Sequence, residues 1–174
     1  VVGDGATTIR PVHVPHDAEG AVGYRIEHDG VRLGYATDLG RVPEALLEAF
    51  DGVDALALES NYDPALQTAS ARPEFLKRRI MGGAGHLSNE QCLDAALAID
   101  RRRPVQCLAL LHLSRQCNCP RLVRSLYAER APELLPRLLI ADQHEPSPMV
   151  RVVGRAGDRR GSARDACPTH LFNS

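Results

Sequence analysis

Tryptophan is absent from this 174-residue chain, and aromatic residues make up only 4% of it. Few rings are then available as platforms for unpaired bases, which argues against recognition of single strands by stacking. Charge of one sign is lacking as well. Lys and Arg total 21 against 22 acidic residues, a net charge of −1, so nothing attracts a polyanion or an anionic membrane globally, and anion binding has to be local. No apolar run approaches the ~20 residues of a bilayer-spanning helix, and the opening residues hold no segment of signal-peptide type. Five cysteines, an odd number, make a poor disulfide framework. These absences together are expected of a cytoplasmic protein with no membrane partner. The 44% of hydrophobic residues is enough for one domain with a real core and argues against a second.

Apolar and polar residues alternate loosely over residues 8–14, then over 22–28 and 31–37, which flank Asp29-Gly30, the favoured dipeptide for a two-residue hairpin turn. Residues 43–50 read as a short helix with proline in its first turn, and 55–58 as a compact buried strand that Glu59 ends. Helices are expected over 74–81 and from Ser88, where Gln91 stands three residues on at capping-box spacing, and over 120–130. The continuous apolar run 105–111 predicts a strand covered on both faces, with His112 at its end. Residues 137–141 and 149–153 are expected as closing strands. The Gly-, Arg-, Asp- and Ser-rich stretch 154–174 is expected to be disordered. Strands alternating with helices after an antiparallel hairpin give an α/β fold class. Polar residues that end buried strands gather at one sheet edge, where ligands bind, and His16, Asp38, Glu59 and His112 all occupy such ends.

Imidazole and carboxylate are ligands for zinc, manganese or iron. His16, Asp38 and His112 could supply three donors, with Asp38 bridging two ions through its two oxygens. Taken singly, a strand-end histidine is more often a hydrogen-bonded surface residue, and a strand-end aspartate is more often a turn residue. What favours chemistry is the wording around them.

The segments VPHD, ATDLG, LALESNYD, LKRRIMGGAGHLSNEQ and LLHLSRQCN stand in this order between about residues 8 and 152. They resemble the later half of the metallo-β-lactamase fold, most closely its YycJ-like exonuclease branch. HLS after a buried strand and GHLSNE opening a helix are the most specific pieces. The resemblance implies part of an αββα sandwich, its C-terminal half with part of the centre, spanning residues 1–153. It implies that His16 and His112 are metal ligands, that Asp38 is the bridging aspartate, and that the cofactors are two divalent ions, zinc or manganese. Glu59 and His86 are similar to a pair that related tRNA 3′-processing endonucleases use beside their metals, the histidine at the scissile phosphate or leaving oxygen and the glutamate orienting it. Lys77, Arg78, Ser114 and Asn118 are candidate phosphate contacts.

The chain departs from the family in having no His-x-His-x-Asp-His segment, which in the family supplies roughly half the ligands. The expectation is therefore the C-terminal portion of a longer enzyme, inactive alone and prone to self-association. Two asparagines commonly follow HLS in this branch; here Cys117 precedes Asn118, and Cys119 follows. A Cys-x-Cys pair is too few ligands for a structural zinc site, so a structural role is expected. The function implied is a metal-dependent phosphodiesterase, an exonuclease acting on DNA through a water activated by two metals. The alternatives are a thioester or lactone hydrolase on the same fold, or a truncated chain without catalysis.

Overall fold

Asp29 and Gly30 both take positive φ, 47° and 77°, the backbone of a hairpin turn whose twist matches its strands. In the computed structural model, which describes residues 2–3 and 7–155, this turn joins β3 (Ala21–His28) to β4 (Val31–Ala36). Before them run β1 (Val2–Gly3) and β2 (Thr7–Val14). After β4 come α1 (Glu44–Ala49), β5 (Ala55–Glu59), α2 (Pro64–Ala69) and α3 (Glu74–Met81). The chain continues through α4 (Asn89–Arg102), β6 (Cys107–Leu111), α5 (Pro120–Arg130), a 3-10 turn (Pro132–Arg137) and β7 (Leu138–Ile140). The strands form one seven-stranded sheet in chain order, β1 to β7. Pairing is antiparallel from β1 to β4 and parallel from β4 to β7, the mixed α/β arrangement expected.

One face of the sheet carries the core. Leu56, Leu58, Leu108 and Leu110 point to it and are buried with Phe50, Leu93, Ile99, Val123 and Tyr127. α4 packs on β5, α1 on β2 and α4, and α5 on α4. α4 starts where the sequence indicates: Ser88 Oγ accepts from the Gln91 amide while the Gln91 side chain accepts from the Ser88 amide, satisfying two otherwise free donors. Burial pushes the Cys92 thiol on α4 up to about 12, so that cysteine is an inert core residue. Cys117 is likewise buried, packed with Tyr62 and Ile80.

The opposite face is apolar and partly bare. Register places Tyr24, Tyr35, Leu33, Ala57, Ala109 and Leu139 on it, and Tyr24 and Tyr35, a directly opposed pair, are 38% and 36% exposed.

Three readings need correction. Residues 149–153 form no strand. Pro146 and Pro148 precede them and remove ladder donors, and the Gln106 side chain stands in for a partner strand, donating to the Val153 carbonyl at 2.7 Å and accepting from its amide at 3.2 Å. The helix α2 was not anticipated, although Asp63 caps it by accepting from the Leu66 amide and Pro64 opens it. The 3-10 turn was likewise unforeseen. Of the tail expected to be disordered, only Gly154 and Arg155 are described; residues 156–174 lie outside the described residues. No described helix is long and apolar enough to cross a membrane.

A bare apolar sheet face should drive association. Light scattering after size exclusion is expected to give a mass above 18.9 kDa that falls toward monomer on dilution, and Tyr24→Glu with Tyr35→Glu should shift the balance to monomer. A wild-type chain that stays monomeric at high concentration would refute this.

Candidate metal centre

Glu59 ends β5, a strand buried at every position, and its side chain has no exposed surface. A carboxylate there needs donors, and three segments provide them. The Leu39 amide donates to Oε2 at 2.6 Å. His86 Nδ1 donates to Oε1 at 2.7 Å and His112 Nδ1 to the same oxygen at 3.1 Å. Burial pushes the Glu59 carboxyl up, but the hydrogen bonds from His112, His86 and Leu39 outweigh it, and the net shift is downward. The same bond from Glu59 raises the His112 imidazole above its ordinary value, against the opposing pull of burial.

His16 lies in the loop after β2, and its Nδ1 donates to the Gly85 carbonyl at 2.8 Å. A carbonyl can only accept, so the proton sits on Nδ1 and the Nε2 lone pair is left to a ligand. His86 and His112 are held the same way by the carboxylate. Asp38 follows β4 with φ +58°, and His112 follows β6 with the same φ. Such backbone is uncommon outside glycine and clusters at functional sites. Asp38 Oδ1 lies 3.9 Å from His16 Nε2, 3.9 Å from His86 Nδ1 and 3.7 Å from His112 Nδ1. The His16 and His86 rings are 5.2 Å apart, and those of His86 and His112 5.1 Å.

The structure thus gathers His16, Asp38, Glu59, His86 and His112 at one sheet edge. Two donor groups arise, His16 with Asp38 and His86, and Glu59 with His86 and His112, the atoms within each lying within 4.8 Å of one another. Imidazole and carboxylate at this spacing fit a zinc- or manganese-type ion. His86, read from sequence as an acid beside the metals, belongs to both groups. Both oxygens of Glu59 already accept hydrogen bonds, which suits an orienting carboxylate.

Close backbone approaches hold these loops together. Asp17 N donates to the Ala84 carbonyl and Gly40 N to the Pro15 carbonyl, each at 2.7 Å. A Cβ at Gly40 would come within 2.4 Å of the Gly83 carbonyl oxygen.

The candidate phosphate contacts divide. Lys77 and Arg78 line a separate cleft with Thr68, Glu74, Met81 and Gly82; Lys77 Nζ donates to the Thr68 carbonyl at 2.6 Å and Arg78 pairs with Glu74 at 3.7 Å. Ser114 Oγ accepts from Arg72 at 3.3 Å and from the Cys117 amide at 3.2 Å. Asn118 corrects the sequence reading. It is buried, its amide donates to the Ser60 and Asn61 carbonyls and to Asn89, and its oxygen accepts from Asn89 and the Cys119 amide. Both polar side-chain atoms of Asn118 are thus engaged within the protein.

Of the two arginines beside the histidines, Arg79 belongs to the basic run Lys77-Arg78-Arg79 that by charge could meet phosphates, and Arg72 is one the sequence did not single out. A cleft of about 460 Å³ is lined by His16, Asp17, Gly85 and His86 together with Arg72, Leu76, Arg79, Ile80 and Gln116. Leu76, Arg79 and Ile80 share a helical face by their spacing, so the Lys77-Arg78-Arg79 run presents only its last member to this cleft. Arg79 Nε donates to Asp17 Oδ1 at 2.8 Å, and that bond holds the Asp17 carboxyl below the usual carboxylate range.

Comparison with known proteins bears on the family and the fold. A family profile described as "Beta-lactamase superfamily domain" matches residues 1–107. The chain is 33% identical over 116 residues to exodeoxyribonuclease YycJ of Bacillus anthracis, covering 64% of this chain and 42% of that protein. It is 30% identical over 114 residues to exodeoxyribonuclease WalJ of Streptococcus pneumoniae, covering 66% and 42%. The chain thus spans less than half the length of the curated relatives it matches. Among solved structures, the metallo-beta-lactamase fold protein YhfI from Bacillus subtilis superposes with a TM-score of 0.54 at 18% identity, covering 81% of this chain and 49% of that one. A diphosphatase from the PhnP family gives 0.52 at 16% identity, covering 88% and 47%.

The pKa shifts set a pH dependence. Glu59 titrates below 4.5 in the fold, so its contribution to stability is present above 4.5 and lost as pH falls through the folded value. His112 titrates above 6.5, so its contribution is full below 6.5 and lost as pH rises through the folded value. Urea midpoints in EDTA should therefore be highest between pH 4.5 and 6.5, and Glu59→Gln should flatten the profile. An unchanged profile in that variant would contradict the assignment.

Proposed function

The chain belongs to the β-lactamase superfamily, matched over residues 1–107, and on that footing we propose that it furnishes one side of the active site of a metal-dependent phosphodiesterase, an exonuclease acting on DNA. The carrying observation is the buried Glu59 carboxylate that clamps both His86 and His112 beside the donors Asp38 and His16. The relatives named exodeoxyribonuclease support a nucleic-acid substrate. Two divalent ions, zinc or manganese, would supply Lewis acidity to a water and to the phosphate oxygens.

The chain's own residues do the rest. His16, through the Nε2 that faces Asp38, together with His112 and the Asp38 carboxylate, would hold the metal. Glu59 fixes the His86 ring with Nδ1 inward, so Nε2 can pass a proton to the departing sugar oxygen. The ring's place in both donor groups allows the other role, of ligand, and one variant separates the two.

The complete reading frame that encodes this chain is the test material. Manganese- or zinc-dependent release of nucleotides is expected, and His86→Ala should lower turnover by about 10²–10⁴ with metal content kept. Loss of metal together with activity would make His86 a ligand. Turnover of thioesters or lactones with none of phosphodiesters would refute the phosphodiesterase reading. The chain by itself, with His16, Asp38 and His112 but no His-x-His-x-Asp-His segment, is expected to hold zinc weakly and to leave bis(p-nitrophenyl) phosphate uncleaved.

A further inference from the structure

Arg72 stands at the cleft that His16 and His86 line, and its guanidinium is held entirely by neutral groups. Nε donates to Gln116 Oε1 at 3.2 Å, Nη1 to Gln67 Oε1 at 3.1 Å and Nη2 to Ser114 Oγ at 3.3 Å. Among the described residues no carboxylate pairs with it. Several other half-buried arginines face a carboxylate: Arg25 pairs with Glu27 and Arg137 with Asp100, each at 2.7 Å, and Arg103 and Arg155 lie at 3.5 Å and 3.7 Å from Asp54, while the exposed Arg79 at the same cleft is occupied by Asp17. A half-buried cation that has lost part of its hydration without gaining a counter-charge is poised for an anion. Its position is also fixed from behind. Gln67 is fully buried, its carbonyl is committed to Arg72, and its Nε2 has no partner, so the scaffold orients the fork without neutralising it.

We propose that Arg72 binds a phosphate of the substrate adjacent to the one cleaved, and so selects substrates that carry phosphates in series, as a polynucleotide does, over simple diesters. The inference rests on the phosphodiesterase reading above and deepens it. A guanidinium meets two phosphate oxygens at once, which fixes orientation as well as charge. The neutral partners are exchangeable, since Gln116 is exposed and its bond to Arg72 is long. Arg72 is a positioning residue: it holds the strand while the histidine cluster faces the reacting phosphate.

The test measures binding of the 174-residue chain to a labelled oligothymidylate of about eight nucleotides by anisotropy across salt concentrations. Each phosphate contact to a single strand contributes about 0.7 to the slope of log affinity against log salt. Arg72→Gln should reduce the slope by about that amount and the low-salt affinity on the order of tenfold; Arg72→Lys should keep the slope. A purely structural role would leave the slope unchanged. In parallel, the Arg72 Nε–Hε signal of the wild-type chain, which needs no variant to fold, is followed as inorganic phosphate is added, and it should shift saturably. Oligonucleotide binding with an unchanged slope in Arg72→Gln overturns the proposal and leaves the phosphodiesterase reading standing. Phosphate acting on Arg72 without oligonucleotide binding overturns the polynucleotide selection and keeps only an anion site. No response to either probe overturns the assignment of Arg72, whereas the phosphodiesterase reading stands or falls with nucleotide release by the complete reading frame.

Discussion

A buried carboxylate organises this molecule's working edge. Glu59 closes a strand with no exposed position, and an uncompensated charge there would cost several kcal/mol. Compensation comes from three segments far apart in sequence: the Leu39 amide after β4, His86 between α3 and α4, and His112 after β6. Burying the charge therefore obliges the three loops to meet. The convergence of imidazoles follows from the electrostatics of one side chain, and it holds whether or not the site is doing chemistry.

The local backbone completes what Glu59 begins. Asp38 and His112 both turn through left-handed φ as they leave parallel strands. Conformations of this kind cost about 1–3 kcal/mol each and persist only where surroundings hold them. Here neighbouring backbone supplies the hold. Gly40 lets the Asp38 loop lie against Gly83, and Asp17 and Ala84 bond backbone to backbone at 2.7 Å, which ties the His16 and His86 loops together. Gly40→Ala would break this contact, and the sensitive element is the spacing between His16 and His86 rather than the core.

How much of this could be read from the sequence depends on the range of the interaction. Periodicity and turn chemistry are local, and the hairpin at Asp29-Gly30, the capping box at Ser88 and the buried strand ending at Leu111 are where the residues put them. The family wording added the order of the site, and the profile match over residues 1–107 bears the family out. Strand ends identified His16, Asp38, Glu59 and His112 as neighbours because β2, β4, β5 and β6 run in the same direction and bring those ends to one edge. Asn118 could not be read. Its motif position suggests substrate, whereas its hydrogen bonds to Ser60, Asn61 and Asn89 depend on segments that meet only in the folded chain. The closing strand at 149–153 was misread for the opposite reason: its apolar residues have strand propensity, but the partner is a side chain, Gln106.

The balance of charge explains why anion recognition had to be sought at single residues. With a net charge of −1 the molecule exerts no long-range pull on a polyanion, and a Debye length of about 8 Å at physiological salt confines attraction to the cleft itself. Within the cationic run at residues 77–79, helix geometry sends Lys77 and Arg78 to one cleft and Arg79 to the other, and Asp17 then neutralises Arg79. A count of basic residues along the chain overstates the positive field at the histidines. What remains there is the charge of Arg72, oriented by neutral partners, so the selectivity of the cleft for phosphate turns on whether a nearby carboxylate has claimed each cation.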